Sequence, residues 1–335
     1  MASKSQIGLL QRGRGTTLDD VALESAKVCI VTGANSGIGF ETALKMAALD
    51  YEVVLACRDA HRGNAAVARI RQQIPECDVS FMQLDLGSLK SVRTFVDNFH
   101  KTGKKLNVLI NNAATICNIR DESPTFTGDG FELTFGVNHL GHFLLTLLLL
   151  DDLKKSGPDS RVIVVSSELH NPSSKGHRGS KFPTMDFENI QLLAPGTFDA
   201  MLAYKNSKLA NVLFSYELDR NVHGSGLTCN CVSPGFVPQT RLNRKNQIIR
   251  CLVIACFRGI LRCFPISRSA SKAADSIVYV ATDDSLQGVG GKYFIDCSAV
   301  DSSQESMNRE VAEKLWKLSA DFVQYDSQKA AESST

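Results

Sequence analysis

KVCIVTGANSGIG, residues 27–39, decides the fold. Apolar, β-favouring residues run into Thr32, glycines follow at 33, 37 and 39, and FETALKMAALD (40–50) then takes up helical spacing. Glycines allow a tight turn and close backbone approach to a pyrophosphate, and a helix N-terminus favours its negative charge. The spacing is G-x-x-x-G-x-G. A glycine-rich turn alone is equally a plain tight loop, but the strand–turn–helix setting makes Gly33, Asn35, Ser36, Gly37, Ile38 and Gly39 the candidate phosphate cradle of a dinucleotide.

Outward from this turn the chain alternates apolar runs with amphipathic stretches. Strands are expected at 27–33, 51–57, 79–86, 106–114, 161–167, 227–235 and 290–296, and helices at 40–50, 64–74, 88–101, 131–155, 202–222 and 270–283. Continuous apolar strands separated by helices predict a parallel sheet covered on both faces. The expected fold class is therefore α/β, a Rossmann-type doubly wound parallel sheet of about seven strands in a single domain. That domain spans 27–300, after a flexible lead-in at 1–26 and before a C-terminal helix at 301–323 and a disordered tail at 324–335. Two insertions interrupt the alternation: 170–199, rich in turn signals, and 236–270, which contains the apolar but Arg-interrupted IIRCLVIACFRGILRCFPI. Both are expected to border a substrate. The second reads as a lid, or as an interfacial helix touching a membrane through 248–266.

An apolar fraction of 43% with 21% charged residues fits a globular domain with a substantial core, and a net charge of +2 offers no electrostatic case for nucleic acid. Ten cysteines lie without a paired framework, which suggests a reducing compartment, and no ligand spacing supports a metal site. Residues 1–26 hold no apolar run long enough for a signal peptide or anchor, so a cytoplasmic location with membrane association through 248–266 is expected.

In AYKNSKLANVLFSYEL, Tyr204 and Lys208 stand four apart and share a helix face, where an ammonium can lower a phenol's pKa. An unassisted tyrosine, with a pKa of about 10, is a poor proton donor or acceptor at neutral pH. Tyr-x-x-x-Lys is common by chance and gains meaning only from TGANSGIG, NNAA (111–114) and VVSS (164–167) before it.

These four motifs in this order resemble the short-chain dehydrogenase/reductase family. The phrases TGANSGIGFETA, LACR, VNHLGHF, RVIVVSSE and AMLAYKNSKL are similar to the retinol-dehydrogenase-like group and the catalytic domain of the WW-domain-containing oxidoreductases. The resemblance implies that Tyr204 is the general acid in reduction and the base in oxidation. It implies that Lys208 tunes the phenol and holds the nicotinamide ribose. Ser167, rather than Ser166, would bind the substrate oxygen with Tyr204, and Asn138 would support a water and lysine proton relay. For the cofactor it implies contacts from Asp85 and Leu86, Asn112 and Ala113, and Pro234, Gly235 and Val237. Asp85 could instead cap the following helix, Asn138 could merely satisfy buried backbone, and Ser167 could cap a strand end. NNAA departs from the family's NNAG at Ala114.

The end of the second strand bears on the nucleotide. VVLACRD places neutral Cys57 where an NAD-preferring relative carries an acid, and Arg58, which can grip a 2′-phosphate, follows it. NADP(H) is therefore expected over NAD(H), with Asp59 the contrary sign. A small lipophilic alcohol or carbonyl, such as a retinoid, steroid or hydrophobic aldehyde or ketone, is the implied substrate. Reduction of a carbon–carbon double bond is open to the same Tyr and Lys. A cofactor-binding regulatory or scaffold protein with little turnover is the competing class. His139 and His142 read as helix-packing residues and His170 as a substrate-loop contact. The helices at 129–155 and 200–223 lie where family members often pair into homodimers.

Overall fold

The computed structural model describes residues 26–174, 181–237 and 268–325. Most of the 236–270 insertion, including 248–266, and most of the expected lead-in and tail lie outside the described residues. The first half runs β1 (Val28–Thr32), α1 (Gly37–Ala47), β2 (Glu52–Cys57), α2 (Ala60–Gln73), β3 (Val79–Gln83), α3 (Leu89–His100) and β4 (Val108–Asn111). Three helical pieces follow, α4 (Leu133–Phe135), α5 (Gly141–Leu148) and α6 (Leu150–Lys155), and then β5 (Ser160–Val165). The second half adds α7 (Ala200–Asn221), β6 (Leu227–Ser233), α8 (Ala270–Thr282), β7 (Tyr293–Ile295), β8 (Ser298–Val300) and α9 (Arg309–Phe322).

The strands form one sheet in the order β3-β2-β1-β4-β5-β6-β7-β8. All seven expected strands are present and parallel, and the eighth, β8, returns antiparallel on β7. Its three residues are all exposed, so no apolar pattern marks them in the sequence. The strand order reverses between β1 and β4, and the crevice at such a reversal lies beyond the carboxyl ends of the strands.

Alternating side chains of the buried strands feed two cores. Ile30, Val54, Leu109 and Val162 join α3, α5, α7 and α9 on one face, while Val31, Leu55, Ile110 and Ile163 join α1, α2 and α8 on the other. This two-sided cover is the reason the strands read as unbroken apolar runs.

Two expectations need correction. The single helix predicted at 131–155 is interrupted: Gly136–Leu140 is a π-helical segment and Leu149 separates α5 from α6. The C-terminal helix begins at Arg309 rather than near 301, with Asn308 accepting the Glu310 and Val311 N–H groups as its cap. Residues 301–308 are instead an irregular segment with a 3₁₀ turn at Glu305–Met307.

Of the 22 residues in α7, 16 are buried within the single chain. On the shared face of α5 and α7, Trp316 of α9 stacks on Phe214 at 5.8 Å and meets Phe143 edge-on at 5.1 Å. Ser319 of α9 bonds His139 at 2.8 Å. This part of the expected pairing surface is thus already covered by the chain's own last helix.

Candidate active site

The predicted residues follow the carboxyl ends of β1 to β6, apart from Asn138 in the π segment and Tyr204 and Lys208 on α7. Gly33 and Gly37 have φ of +67° and +59°, which glycine adopts without strain. A Cβ on Gly39 would lie 2.5 Å from Asn112 Nδ2 and 2.6 Å from Gly33 O, so backbone itself fills the place of a side chain. Ser36 precedes α1 in an extended conformation and its side chain makes no cap, so no side chain of this residue competes for the first N–H groups of the helix. An uncapped helix start beside a glycine cradle fits a pyrophosphate.

Thr32, unremarked in the sequence, is the knot beneath this cradle. Its Oγ1 accepts the N–H groups of Asn112 and Ala113, both at 2.9 Å, and Asn112 Nδ2 donates to Thr32 O at 2.8 Å. His142 completes the knot. Its Nδ1 must donate to the Asn138 carbonyl at 3.1 Å, which leaves Nε2 to accept from Thr32 Oγ1 at 2.9 Å. Burial pulls the His142 imidazole down to about 3, so it stays neutral and keeps these roles. The expected packing histidine is therefore also a polar tie between the first strand and the π segment.

Asn138 sits in that π segment with no exposed surface. Its Oδ1 accepts Thr115 N–H at 2.7 Å, and Nδ2 donates to Thr115 O and Ser207 Oγ, both at 3.0 Å. The side chain thus satisfies buried backbone and anchors α7 one residue before Lys208. π segments inside α-helices often mark functional sites.

On α7, Tyr204 and Lys208 stand beside the end of β5. Ser166 donates its hydroxyl to Lys208 O at 2.7 Å and is spent on packing, whereas the Ser167 hydroxyl is near enough to the Tyr204 phenol to lower its pKa. Ser167 Oγ also accepts Leu169 N–H at 3.3 Å, capping a short 3₁₀ turn. Burial pushes the Tyr204 phenol up to about 12, partly opposed by the nearby Ser167 hydroxyl. The Lys208 ammonium, pulled down to about 8 by burial, donates to Val165 O at 3.0 Å and lies 5.6 Å from the centre of the Tyr204 ring. Loss of water from around the phenol is the main influence on it here, while the Lys208 ammonium is turned towards a strand carbonyl.

At the nucleotide end, Arg58 is exposed and its side chain has no ion-pair partner among the described residues. Asp59 caps α2, accepting Arg62 N–H at 3.0 Å and pairing with the Arg62 guanidinium at 3.2 Å. The Arg62 N–H bond is the main cause that draws its carboxyl below the usual range. Cys57 is buried, and burial raises its thiol to about 11. Asp85 does not cap α3. Ser88 does, while Asp85 Oδ1 accepts Gly87 N–H at 3.0 Å. Leu86 packs into the core, Pro234 and Val237 are buried, and Gly235 has φ of +75° against Arg268.

His170 is tied at both ring nitrogens. It is 1% exposed and bonds Ser167 O and the Ser303 backbone. Among the described residues no helix is long and apolar enough to cross a membrane, and no group of three His, Cys, Asp or Glu could hold a metal ion.

A doubly wound sheet with a glycine cradle at its switch point, beside clustered Ser, Tyr and Lys, defines the class: a dinucleotide-fold oxidoreductase. The short chain dehydrogenase family model matches residues 27–180. The chain is 42% identical to the WW domain-containing oxidoreductase of Gallus gallus over 89% of its own length and 68% of that protein's. It is 39% identical to Retinol dehydrogenase 12 of Homo sapiens, over 89% and 86% of the two lengths. Among solved structures, an uncharacterised protein from Mycobacterium Paratuberculosis aligns with a TM-score of 0.65 at 30% identity, covering 89% of this chain and 93% of that one. The protein belongs to the short-chain dehydrogenase/reductase family.

Proposed function

We propose that the protein interconverts a lipophilic alcohol and its carbonyl with NADP(H) as cofactor. The observation that carries the reading is the meeting of Ser167, Tyr204 and Lys208 at the strand-end crevice that also holds the glycine cradle. The nicotinamide, when bound, supplies or accepts the hydride. Tyr204 gives its phenolic proton to the substrate oxygen in reduction and takes it back in oxidation. Ser167, which neighbours that phenol, holds the same oxygen. Lys208 holds the nicotinamide ribose, and its positive charge favours the phenolate left when the proton departs. Asn138 keeps the π segment and α7 in register, supporting proton return through Lys208. Asp85 and Leu86 would line the adenine side of the bound cofactor, Asn112 and Ala113 its floor, and Pro234, Gly235 and Val237 the nicotinamide end.

The preference for NADP(H) rests on Arg58. The neighbouring carboxylate, Asp59, is committed to Arg62 and the start of α2, which leaves Arg58 available for a 2′-phosphate. Arg58→Ala should weaken NADPH binding about tenfold, as loss of one charge-assisted contact would, and leave NADH nearly unchanged. Equal weakening of both nucleotides would remove the argument.

The lipophilic substrate class is supported by the retinol dehydrogenase among the relatives and by exposed Phe182, Leu193 and Phe236 on the two insertions. Membrane contact through 248–266 and action in the cytoplasm rest on sequence alone, on the apolar, Arg-interrupted stretch there and on cysteines that lack a paired framework. The decisive experiment measures NADPH binding and turnover of retinal, steroid ketones and medium-chain aldehydes by the parent and by Tyr204→Phe. The variant should lose about 10³-fold in kcat while keeping its NADPH affinity. Equal turnover by both would overturn the role of Tyr204. Tight NADPH binding with no turnover by the parent would instead favour a cofactor-binding regulatory or scaffold protein.

A further inference from the structure

His170 lies outside the Ser–Tyr–Lys cluster but touches its frame. Its Nδ1 is 2.7 Å from Ser167 O, and a carbonyl only accepts, so Nδ1 carries the proton. Its Nε2 lies 3.2 Å from the Ser303 backbone N–H, which only donates, so Nε2 is the acceptor. Both bonds require the same neutral tautomer. The imidazole thereby joins the residue that carries the substrate-facing hydroxyl to a segment 133 positions from itself along the chain. Tyr293 meets the ring edge-on at 4.8 Å and limits its rotation.

The far side of this tie is itself anchored. Ser306 Oγ bonds Ser302 Oγ at 2.7 Å, and Ser302 Oγ meets the Tyr216 hydroxyl of α7 at 2.8 Å. Glu305 Oε1 accepts Met185 N–H at 2.7 Å and the Thr184 hydroxyl at 3.2 Å, and Thr184 N–H reaches Asn206, two residues beyond Tyr204. Residues 302–306 therefore grip the Ser167 turn, the helix that carries Tyr204 and the first insertion together.

We propose that His170 is a positioning residue for Ser167, making the alignment of that hydroxyl depend on the C-terminal segment 302–306. The inference rests on the reading that Ser167 holds the substrate oxygen. A hydroxyl displaced by a fraction of an ångström misdirects the oxygen relative to the Tyr204 proton, which lowers kcat more than it alters substrate or cofactor binding.

Two substitutions cut the tie on opposite sides. His170→Asn keeps an amide N–H near the Nδ1 position and loses the acceptor for Ser303. His170→Gln places its amide oxygen near Nε2 and loses the donor to Ser167 O. Tyr216→Phe, nearly isosteric, loosens the segment from α7 without touching His170.

The full-length chain and these variants are compared by hydrogen exchange over 166–171 and 301–307, by NADPH affinity and by steady-state kinetics on the best carbonyl of the panel. Each His170 variant should exchange faster in both segments and lose about tenfold or more in kcat, with NADPH affinity and KM within about threefold. Tyr216→Phe should show the same pattern more weakly. Exchange at 301–307 unmoved by either His170 variant would overturn the tie. A loosened 301–307 with kcat at the parent level, in any variant, would overturn the positioning role. If the parent itself turns over nothing, the enzymatic reading and with it the positioning role fail, while the exchange data still decide whether the tie exists.

Discussion

Burial acts on Tyr204 and Lys208 in opposite senses, pushing the phenol up to about 12 and the ammonium down to about 8. Both shifts favour the neutral forms, so catalysis at neutral pH works against the desolvation that also shields the site. The consequence for stability has a definite sign. Below about pH 8 Lys208 is charged in both folded and unfolded chains. From there to its ordinary value of 10.5, the unfolded chain binds the extra proton, so the contribution of Lys208 to stability rises with pH. The drop in pKa corresponds to about 3 kcal/mol across that window. Lys208→Met lacks this rise. Urea unfolding of parent and variant from pH 7 to pH 10.5 should show the parent gaining about 3 kcal/mol relative to the variant. A stability difference independent of pH would mean that the ammonium is not desolvated. The residue types of this cluster are legible in the sequence, but the direction in which burial moves them is not, because that depends on every chain segment that excludes water.

The π segment at Gly136–Leu140 and the irregular run before α9 are where local patterning stops being a guide to the elements. FELTFGVNHLGHFLLTLLLL reads as one helix because its apolar residues satisfy helical spacing throughout. The widened turn accompanies the bonds of Asn138 to Thr115 and Ser207 and of His142 to Thr32, partners that are distant in sequence. The start of α2 is a similar case: Asp59 could have served the ribose, but it completes the helix start instead. For α9 the boundary follows from the Asn308 cap, while its stability comes from docking. Leu315 is 1% exposed and belongs to the core formed with α5 and α7. Leu315→Ala should therefore lower unfolding free energy by about 3 kcal/mol, measured in urea at pH 7. A loss of only a few tenths would mean that α9 contributes little to the core.

Across the whole molecule, the sheet order reverses between β1 and β4, and most proposed site residues follow the carboxyl ends of the strands. The last helix covers aromatic surface of α5 and α7 that would serve a pairing of two chains, so a homodimer built on Phe214 and Phe143 would have to displace Trp316. By itself the sequence determined the alternation of strands and helices, the glycine turn and the Ser, Tyr and Lys that resemble the family's set, because these are patterns of spacing and residue type. Seven strands were readable because apolar runs buried on both faces leave a strong local mark. Only the tertiary structure decided that Thr32 and His142 knot the cradle to the π segment, that Lys208 turns to Val165, and that His170 bonds Ser303. Each is a polar contact between segments far apart in sequence. Its partner is chosen by which groups the fold brings within hydrogen-bonding distance after water has been excluded, and that choice leaves no periodic trace in the chain.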